Sequence, residues 1–304
     1  INGLKNDILF IQSNNIRKLL AEISFKINKK IPNNIIAVTG TNGKSSIADF
    51  YYQILDLNNK KVASIGTLGI KSKKFKKDLS NTTIDPIQLS IILSHLKKQN
   101  INNVIMEASS HGLSQNRLDG LFFNTGIFTN LSQDHLDYHK NIRDYLKAKL
   151  YLFEKLIKKN GNIITDEKIP EFKKIKSIAS NQNLKLFSLF DKKNNFQFLS
   201  HQYEGESQLL KIKYNNSIHK IKLNLIGKIQ LKNLLMAVIA SIKSNINIKD
   251  ILNAIPKIKS VDGRFEIIGR IKNNSKVILD YAHTPDALKT CLKNLKEQFP
   301  SQKI

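Results

Sequence analysis

The chain has 304 residues, enough for two domains, and a hydrophobic fraction of 41% that supports a packed core. No apolar run reaches membrane-spanning length and the first residues lack the layout of a signal peptide, so we expect no membrane partner. The single cysteine, Cys291, excludes an internal disulfide framework and fits a cytoplasmic location.

The net charge of +25 would ordinarily suggest a nucleic-acid partner. Here the lysines are spread along the whole chain, and the densest run, Lys71 to Lys77, is predicted to be a solvated loop. We therefore expect no nucleic-acid partner. The alternative would need the lysines to form one patch and an affinity that falls steeply with salt.

The hydrophobic pattern predicts alternating strands and helices from residue 34 to about 260, which is typical of a mostly parallel sheet with helices on both faces. Residues 1–33 are too few for a domain and contain one amphipathic segment around residues 16–20. The predicted strands are 35–39, 61–66, 103–108, 125–129 and 161–165, and the predicted helices are 44–57, 86–98, 141–158 and 229–243.

Two later stretches differ from that alternation. Residues 184–224 contain short alternating apolar runs that predict small antiparallel strands. After them the α/β pattern restarts, with a strand at 277–279 and a helix at 285–295 that opens with proline. The sequence therefore predicts an α/β protein with a large domain over 34–260 and the beginning of another over 261–304.

The run TGTNGKSS at residues 39–46 lies between a predicted strand and a predicted helix and indicates a phosphate-binding loop. Gly40 and Gly43 allow a tight turn that brings backbone N–H groups close to phosphate oxygens, and the helix N-terminus adds a favourable dipole. Lys44 can reach the terminal phosphates, and the hydroxyl of Ser45 can hold Mg²⁺. An ordinary glycine turn that caps a helix is the alternative, which the Lys-Ser pair after a strand disfavours.

Polar residues follow two further strands. Ligands of open parallel sheets bind at the carboxyl ends of the strands. Glu107 ends the strand predicted at 103–108, and His135 lies beyond the strand predicted at 125–129. Both are candidate ligands of a Mg²⁺ ion near Lys44. The alternatives are a surface carboxylate and a hydrogen-bonded loop histidine.

Longer motifs occur in the order, and at about the spacings, of one known family. They are NTTIDP at 81–86, MEASSHGLSQNRLDG at 106–120, TNLSQDHLDYH at 129–139, YLKAKLYLF at 145–153, VDGRFE at 261–266 and LDYAHTPDAL at 279–288. Together with TGTNGKSS, they resemble the Mur ligase family, and within it the members that add the third amino acid to the peptidoglycan precursor. The resemblance is weakest over 165–225.

This resemblance implies roles for individual residues. The ATP-binding residues that it implies are Thr39, Gly40, Thr41, Asn42, Gly43, Lys44, Ser45, Asn233, Arg264, Asp280 and His283. The residues that it implies for a UDP-muramyl dipeptide are Asn81, Thr82, Thr83, Ser109, Gln115 and Arg117. The metal ligands that it implies are Ser45, Glu107, His135 and Lys149, with Lys149 carried as a carbamate. A carbamate forms on a neutral amine, so that lysine must be desolvated or close to metal.

The family pattern is not matched everywhere. Ile84 stands where the family usually has proline, which removes no polar contact from the substrate loop. Ile229 and Gln230 stand where the family usually has an aromatic residue or histidine and then asparagine. The adenine contact of Asn233 is the feature that this second departure affects.

The implied activity is ATP-dependent amide ligation through an acyl phosphate, with ATP and Mg²⁺ as cofactors and Lys44, Glu107, His135 and carbamylated Lys149 as catalytic residues. The substrates would be a UDP-muramyl dipeptide and an amino acid, diaminopimelate rather than lysine, and the protein a monomer. Residues 1–33 would be a remnant of a UDP-binding domain, and 261–304 the beginning of an amino-acid-binding domain. The alternatives are a folylpolyglutamate synthase and a nucleotide-binding fragment without turnover.

Overall fold

The computed structural model describes residues 11–134, 137–191, 196–272 and 275–304, together with the backbone of 4–5 and 8–9. Within them the helices are α1 (Ile16–Ile27), α2 (Lys44–Leu57), α3 (Pro86–Lys98), α4 (Ser110–Ser114), α5 (Ile142–Tyr151), α6 (Phe172–Asn181), α7 (Lys228–Lys243), α8 (Ile248–Ala254) and α9 (Pro285–Gln298). A π-helical turn covers Leu152–Leu156, and a 3₁₀ turn covers Ile255–Lys257. None of the helices described is long and apolar enough to cross a membrane.

Within the same described residues, the strands form one large sheet and three small ones. The strands are β1 (Leu4–Lys5), β2 (Ile8–Leu9), β3 (Asn34–Thr39), β4 (Val62–Gly66), β5 (Gly69–Lys71), β6 (Lys76–Lys77), β7 (Asn103–Glu107), β8 (Phe123–Phe128), β9 (Ile157–Thr165), β10 (Lys185–Ser188), β11 (Phe196–Glu204), β12 (Ser207–Tyr214), β13 (Ser217–Leu223), β14 (Glu266–Ile271) and β15 (Ser275–Leu279). The large sheet has the order β10-β9-β8-β3-β7-β4-β5-β6, and its first six strands run parallel. The small antiparallel sheets are β1-β2, β11-β12-β13 and β14-β15.

Helices cover both faces of the large sheet, as predicted. Alternate residues of β3 show this, because successive side chains of a strand point to opposite faces. Ile36 and Val38 belong to the apolar cluster that contains residues of α2 and α7. Ile35 and Ala37 belong to the opposite cluster, which contains residues of α3 and α5. The strand is therefore buried on both sides, which explains its continuous apolar sequence.

Local signals set the starts of the helices. Pro86 is the first residue of α3, and the Asp85 side chain accepts a hydrogen bond from Gln88 N at 3.0 Å. Thr284 caps α9 in the same way, accepting from Ala287 N at 3.2 Å ahead of Pro285. Such caps satisfy N–H groups that lack partners within the helix, so these boundaries can be predicted from the sequence.

Most predicted elements are confirmed, and three predictions are wrong in part. The helix predicted over 141–158 is α-helical to Tyr151 and continues as the π-helical turn to Leu156, and Ile157 already begins β9 because it pairs with Phe123 of β8. The segment Lys185–Ser188 joins the large sheet in parallel, beside β9, although 184–224 was predicted to be antiparallel. The run from Lys71 to Lys77 forms the hairpin of β5 and β6 rather than a loop.

Candidate active site

The phosphate-binding loop joins β3 to α2, as its sequence predicts. Gly40 and Gly43 both have positive φ, +142° and +90°, which side chains rarely tolerate. A Cβ atom on Gly43 would lie 2.7 Å from the side-chain oxygen of Asn233, so α7 packs directly against the loop. Ser45 is buried in the first turn of α2. The loop, the first turn of α2 and Asn233 therefore pack closely against one another.

Two lysines donate hydrogen bonds to the same backbone carbonyl of the loop, that of Gly40. Lys44 Nζ donates to the carbonyl oxygens of Gly40 at 3.0 Å and Thr41 at 2.7 Å. Lys149 Nζ, on α5, donates to the same Gly40 oxygen at 2.7 Å. The Lys149 side chain is only 1% exposed, and its amine also lies over the ring of Tyr145. Sequence composition alone would place Lys149 on a solvated helix face, so this is the least expected feature of the site.

Burial and like charge act together on these amines. Burial lowers the pKa of Lys44, while the carboxylates of Glu107 and Asp134 oppose the shift. The pKa of Lys149 lies well below its ordinary value of 10.5, first because the group is buried and then because Lys44 is close. Lys149 is thus the amine of this pair that burial and Lys44 drive toward the neutral form.

Glu107 is held in a fixed position near the phosphate-binding loop. Its β7 position pairs with Val38 of β3, the strand that leads into the loop. The carboxylate is 2% exposed and accepts hydrogen bonds from Thr67 N at 2.8 Å and Thr67 Oγ1 at 3.2 Å. Gly66 makes room for it, since a Cβ atom there would collide with the carboxylate. Glu107 is therefore fixed in orientation, as a metal ligand requires.

The segment that follows β8 holds the phosphate-binding loop in place through hydrogen bonds. The sequence did not indicate this supporting role. Asn130 accepts from Thr41 N at 2.9 Å through its backbone and from Asn42 N at 3.0 Å through its side chain. Thr129 Oγ1 donates to the Asn42 carbonyl at 2.6 Å, and Ser132 N donates to Thr41 Oγ1 at 3.0 Å. These contacts join residues that are 87 to 91 positions apart in sequence, so no local pattern predicts them.

The residues predicted to hold the second substrate lie next to Glu107. Thr83 Oγ1 donates to the Glu107 carbonyl and accepts from Ser109 N, both at 2.9 Å. Arg117 donates to the Thr83 carbonyl and, through Nε at 2.9 Å, to the Gln115 side chain. Thr82 Oγ1 lies 3.0 Å from Thr67 Oγ1. Asn81 is exposed at the start of this loop and contacts Ser80.

The C-terminal segment provides the facing wall. Arg264, Asp280 and His283 line, together with Lys44, Glu107 and Asn233, a cleft of about 220 Å³. The Arg264 guanidinium lies 4.3 Å from the ring centre of Tyr281, and Asp280 accepts from Phe265 N at 3.0 Å. Burial lowers the pKa of Arg264 and raises that of Asp280. A second cleft of about 480 Å³ adjoins the first and shares Asn42 and Asn233 with it.

His135 lies outside the described residues, so its predicted role as a metal ligand stays a prediction. Asp134, its neighbour, lines the cleft, and its charge partly opposes the lowering of the pKa of both lysines by burial. Among the residues that the structure describes, no group of three or more His, Cys, Asp and Glu could hold a metal ion. The predicted metal ligands are not limited to those residue types, because they also include a serine hydroxyl and a carbamate. Ser45 and Glu107 reach the same cleft and are the oxygen donors that Mg²⁺ prefers, so these two residues fit the ion.

Comparison with known proteins now decides the family. The model of the Mur ligase middle domain matches residues 38–241, and the model of the Mur ligase, glutamate ligase domain matches residues 263–304. The chain belongs to the Mur ligase family. The middle-domain match contains the phosphate-binding loop, Glu107 and Lys149, and the second match contains Arg264, Asp280 and His283.

Relatives of this Mur ligase chain are longer than it is. A UDP-N-acetylmuramoyl-L-alanyl-D-glutamate--2,6-diaminopimelate ligase of Zymomonas mobilis is 36% identical over 282 residues, covering 93% of this chain and 58% of that protein. The protein of the same name from Rickettsia bellii is 36% identical over 295 residues, covering 96% and 61%. The chain therefore spans about three fifths of the length of the curated relatives it matches.

Solved structures share the fold. A structure of a ligase of the same name superposes with a TM-score of 0.79 at 27% identity, covering 94% of this chain and 59% of that one. The apo form of L. casei FPGS superposes with a TM-score of 0.75 at 15% identity, covering 98% of this chain and 78% of that one. This second likeness shows a common fold alone.

Proposed function

We propose that this chain carries the ATP site of a ligase that adds the third amino acid to UDP-N-acetylmuramoyl-L-alanyl-D-glutamate. The observation that carries the proposal is the convergence of Lys44, Lys149 and Glu107 around the Gly40 loop. The relatives named as 2,6-diaminopimelate ligases favour diaminopimelate over lysine as the amino acid. The proposal includes a monomer in the cytoplasm that acts without nucleic acid or membrane.

In this proposal the protein positions reactants and neutralises charge, and supplies no nucleophile. The loop N–H groups and Lys44 bind the phosphates of ATP and stabilise the charge that develops as the terminal phosphoryl group moves to the D-glutamyl γ-carboxylate. Arg117, held by Gln115 and Thr83, offers its free donors to an anionic group of the second substrate. The amine of the third amino acid then attacks the acyl phosphate and phosphate leaves.

Ser45 and Glu107 are the residues that would hold Mg²⁺, which supplies charge neutralisation between the phosphates of ATP. Lys149 suits carbamate formation because it is buried and its pKa is strongly lowered, so that a neutral amine is available to carbon dioxide. The carbamate would replace a cation by an anion next to Lys44. His135 completes the proposed ligand set.

Asn233 and the C-terminal residues complete the nucleotide site in this proposal. Asn233 touches the loop at Gly43 and borders both clefts, so its amide can reach the adenine of a nucleotide whose phosphates lie at Lys44. Arg264, Asp280 and His283 face the same space from the opposite wall. We propose the domain division at residue 260 on the same basis, with 261–304 as the second wall.

The test is phosphate release and product mass with the purified chain, ATP, Mg²⁺ and UDP-muramyl dipeptide. Diaminopimelate should give phosphate and the tripeptide product, lysine much less, and folate with glutamate none. Lys44→Ala should abolish turnover, while Lys147→Ala, an exposed neighbour of Lys149, should not. Nucleotide binding without phosphate release under any of these conditions would contradict the ligase proposal and support a binding fragment.

A further inference from the structure

Helix α7 begins without a cap of its own. Its N-cap residue is Gly227, which has no side chain, and its first turn holds Lys228 and no acidic residue. The first N–H groups of a helix have no partner inside it, and Ser, Thr, Asp or Asn ordinarily satisfies one of them. A buried helix start that lacks such a residue needs acceptors from elsewhere in the protein.

Two buried amides of α9 are those acceptors. Gln298 Oε1 accepts from Gly227 N at 2.7 Å, and Asn294 Oδ1 accepts from Ile229 N at 3.1 Å. The other halves of both amides are engaged as well, since Gln298 Nε2 donates to the Gly205 carbonyl at 3.0 Å and Asn294 Nδ2 to the Thr290 carbonyl at 2.8 Å. Asn294 acts toward α7 as an N-cap side chain would, but from a helix 65 residues away in sequence.

The packing around this contact requires the glycine. Gly227 has a φ of +81°, and a Cβ atom there would lie 3.2 Å from Asn294 Cβ and 3.3 Å from the Phe265 ring. Beside it, an apolar cluster joins the two parts of the chain, and its buried members are Ile226, Phe265, Cys291, Leu295 and Phe299. Both amides are buried at this junction, so a lost acceptor there is costly.

Helix α7, which α9 caps, also carries a residue of the cleft that is proposed to bind nucleotide. Asn233, one and a half turns further along α7, touches Gly43 of the phosphate-binding loop. Gln230 accepts from Asn233 Nδ2 at 3.3 Å and donates to the Arg264 carbonyl at 3.4 Å. The start of α7 thus lies between the loop and the segment that carries Arg264, Asp280 and His283.

We propose that Asn294 and Gln298 are positioning residues, a clasp that holds segment 263–304 closed over the nucleotide cleft by capping α7. The inference rests on the nucleotide site of the proposed function. If the clasp is broken, the facing wall spends less time in place, and the apparent affinity for nucleotide falls by the fraction of closed molecules. The clasp acts on nucleotide affinity more than on kcat at saturating ATP.

The test is a titration of the 304-residue chain with a fluorescent ATP analogue in Mg²⁺, together with small-angle X-ray scattering without nucleotide. Gln298→Leu removes the acceptor from a residue that lines neither cleft, and should weaken binding on the order of tenfold and increase the radius of gyration. Asn294 also lines the second cleft, so its variants are read together with the scattering measurement. Asn294→Leu should act similarly, whereas Asn294→Asp keeps an acceptor oxygen at a helix N-terminus but loses the donor to the Thr290 carbonyl, and should restore part of the affinity. Gln302→Leu, the same change type at an exposed amide, should do neither.

Unchanged affinity and radius of gyration in folded Gln298→Leu would overturn the clasp, as would an equal loss in Gln302→Leu. Circular dichroism establishes whether each variant is folded. If Gln298→Leu is misfolded, the comparison of Asn294→Leu with Asn294→Asp decides whether the clasp exists. Failure of ligase turnover would contradict the proposed function but would not alter these readouts. Absence of nucleotide binding by the unmodified chain would contradict the proposed function and remove the titration as a readout, and the change in radius of gyration would then decide on the clasp.

Discussion

At the scale of single residues, the site depends on groups that are placed against their usual preferences. Lys149 is a buried lysine, Glu107 a buried carboxylate, and Gly40 and Gly43 hold backbone conformations that other residues avoid. Each arrangement costs free energy unless partners compensate for it. Groups placed in this way are candidates for a functional role. Substitutions at these positions are therefore the most informative tests of the site.

Carbamylation of Lys149 is one prediction at this scale. Its folded-state pKa lies below the ordinary value, so the neutral amine gains as pH rises through the lowered pKa, and carbamate occupancy should rise with it. Nuclear magnetic resonance with ¹³C-bicarbonate should show one bound carbonyl signal that Lys149→Ala removes and Lys147→Ala retains. A signal that survives in Lys149→Ala, or that falls as pH rises, would contradict this assignment.

The contact between Gly66 and Glu107 gives a second prediction. Gly66→Ala places a methyl group against the carboxylate, so it should destabilise the fold by about 1–3 kcal/mol and raise the Mg²⁺ concentration needed for activity. Glu107→Ala should relieve the collision, so the Gly66→Ala change should cost much less stability in that background. Urea denaturation of the four chains measures the coupling. Equal costs in both backgrounds would show that the collision is not the cause.

At the scale of elements, local sequence sets most helices and central strands, and tertiary pairing sets the rest. The strand-loop-helix of the phosphate site and the capped helix α3 follow from β-branched runs, glycines and a proline. The run from Leu150 to Phe153 is apolar enough for helix or strand alike, and the helical turns end only where Ile157 pairs with Phe123. Local periodicity carries no information about such partners.

The support beneath the loop was missed for the same reason, and it yields the prediction at this scale. Asn130→Ala removes the acceptor for Asn42 N and a donor to the Asn42 carbonyl at 3.2 Å. We expect a loss of about 1–3 kcal/mol in unfolding free energy and a several-fold weaker affinity for ATP, because a partly buried loop amide loses its partner. Asn58→Ala, at the other end of α2, should leave ATP affinity unchanged. Calorimetric titration and urea denaturation check both variants.

At the scale of the whole molecule, the sequence itself predicted the loop and Glu107, and the family resemblance implied Lys149, Arg264, Asp280 and His283. What it did not show is how the C-terminal segment is held against the cleft. The C-terminal segment reaches the cleft because α9 caps α7 and an apolar cluster joins them. These contacts connect residues far apart in the chain and follow from no local pattern.

The most direct measurement of the central claim is calorimetric titration of the chain with Mg²⁺ and a non-hydrolysable ATP analogue, compared with Lys44→Ala. We expect one nucleotide per chain, and a loss of at least about tenfold in affinity when the loop amine that faces the phosphates is removed. Equal binding by both chains, or none by the unmodified chain, would mean that the turn around Lys44 is not a nucleotide site.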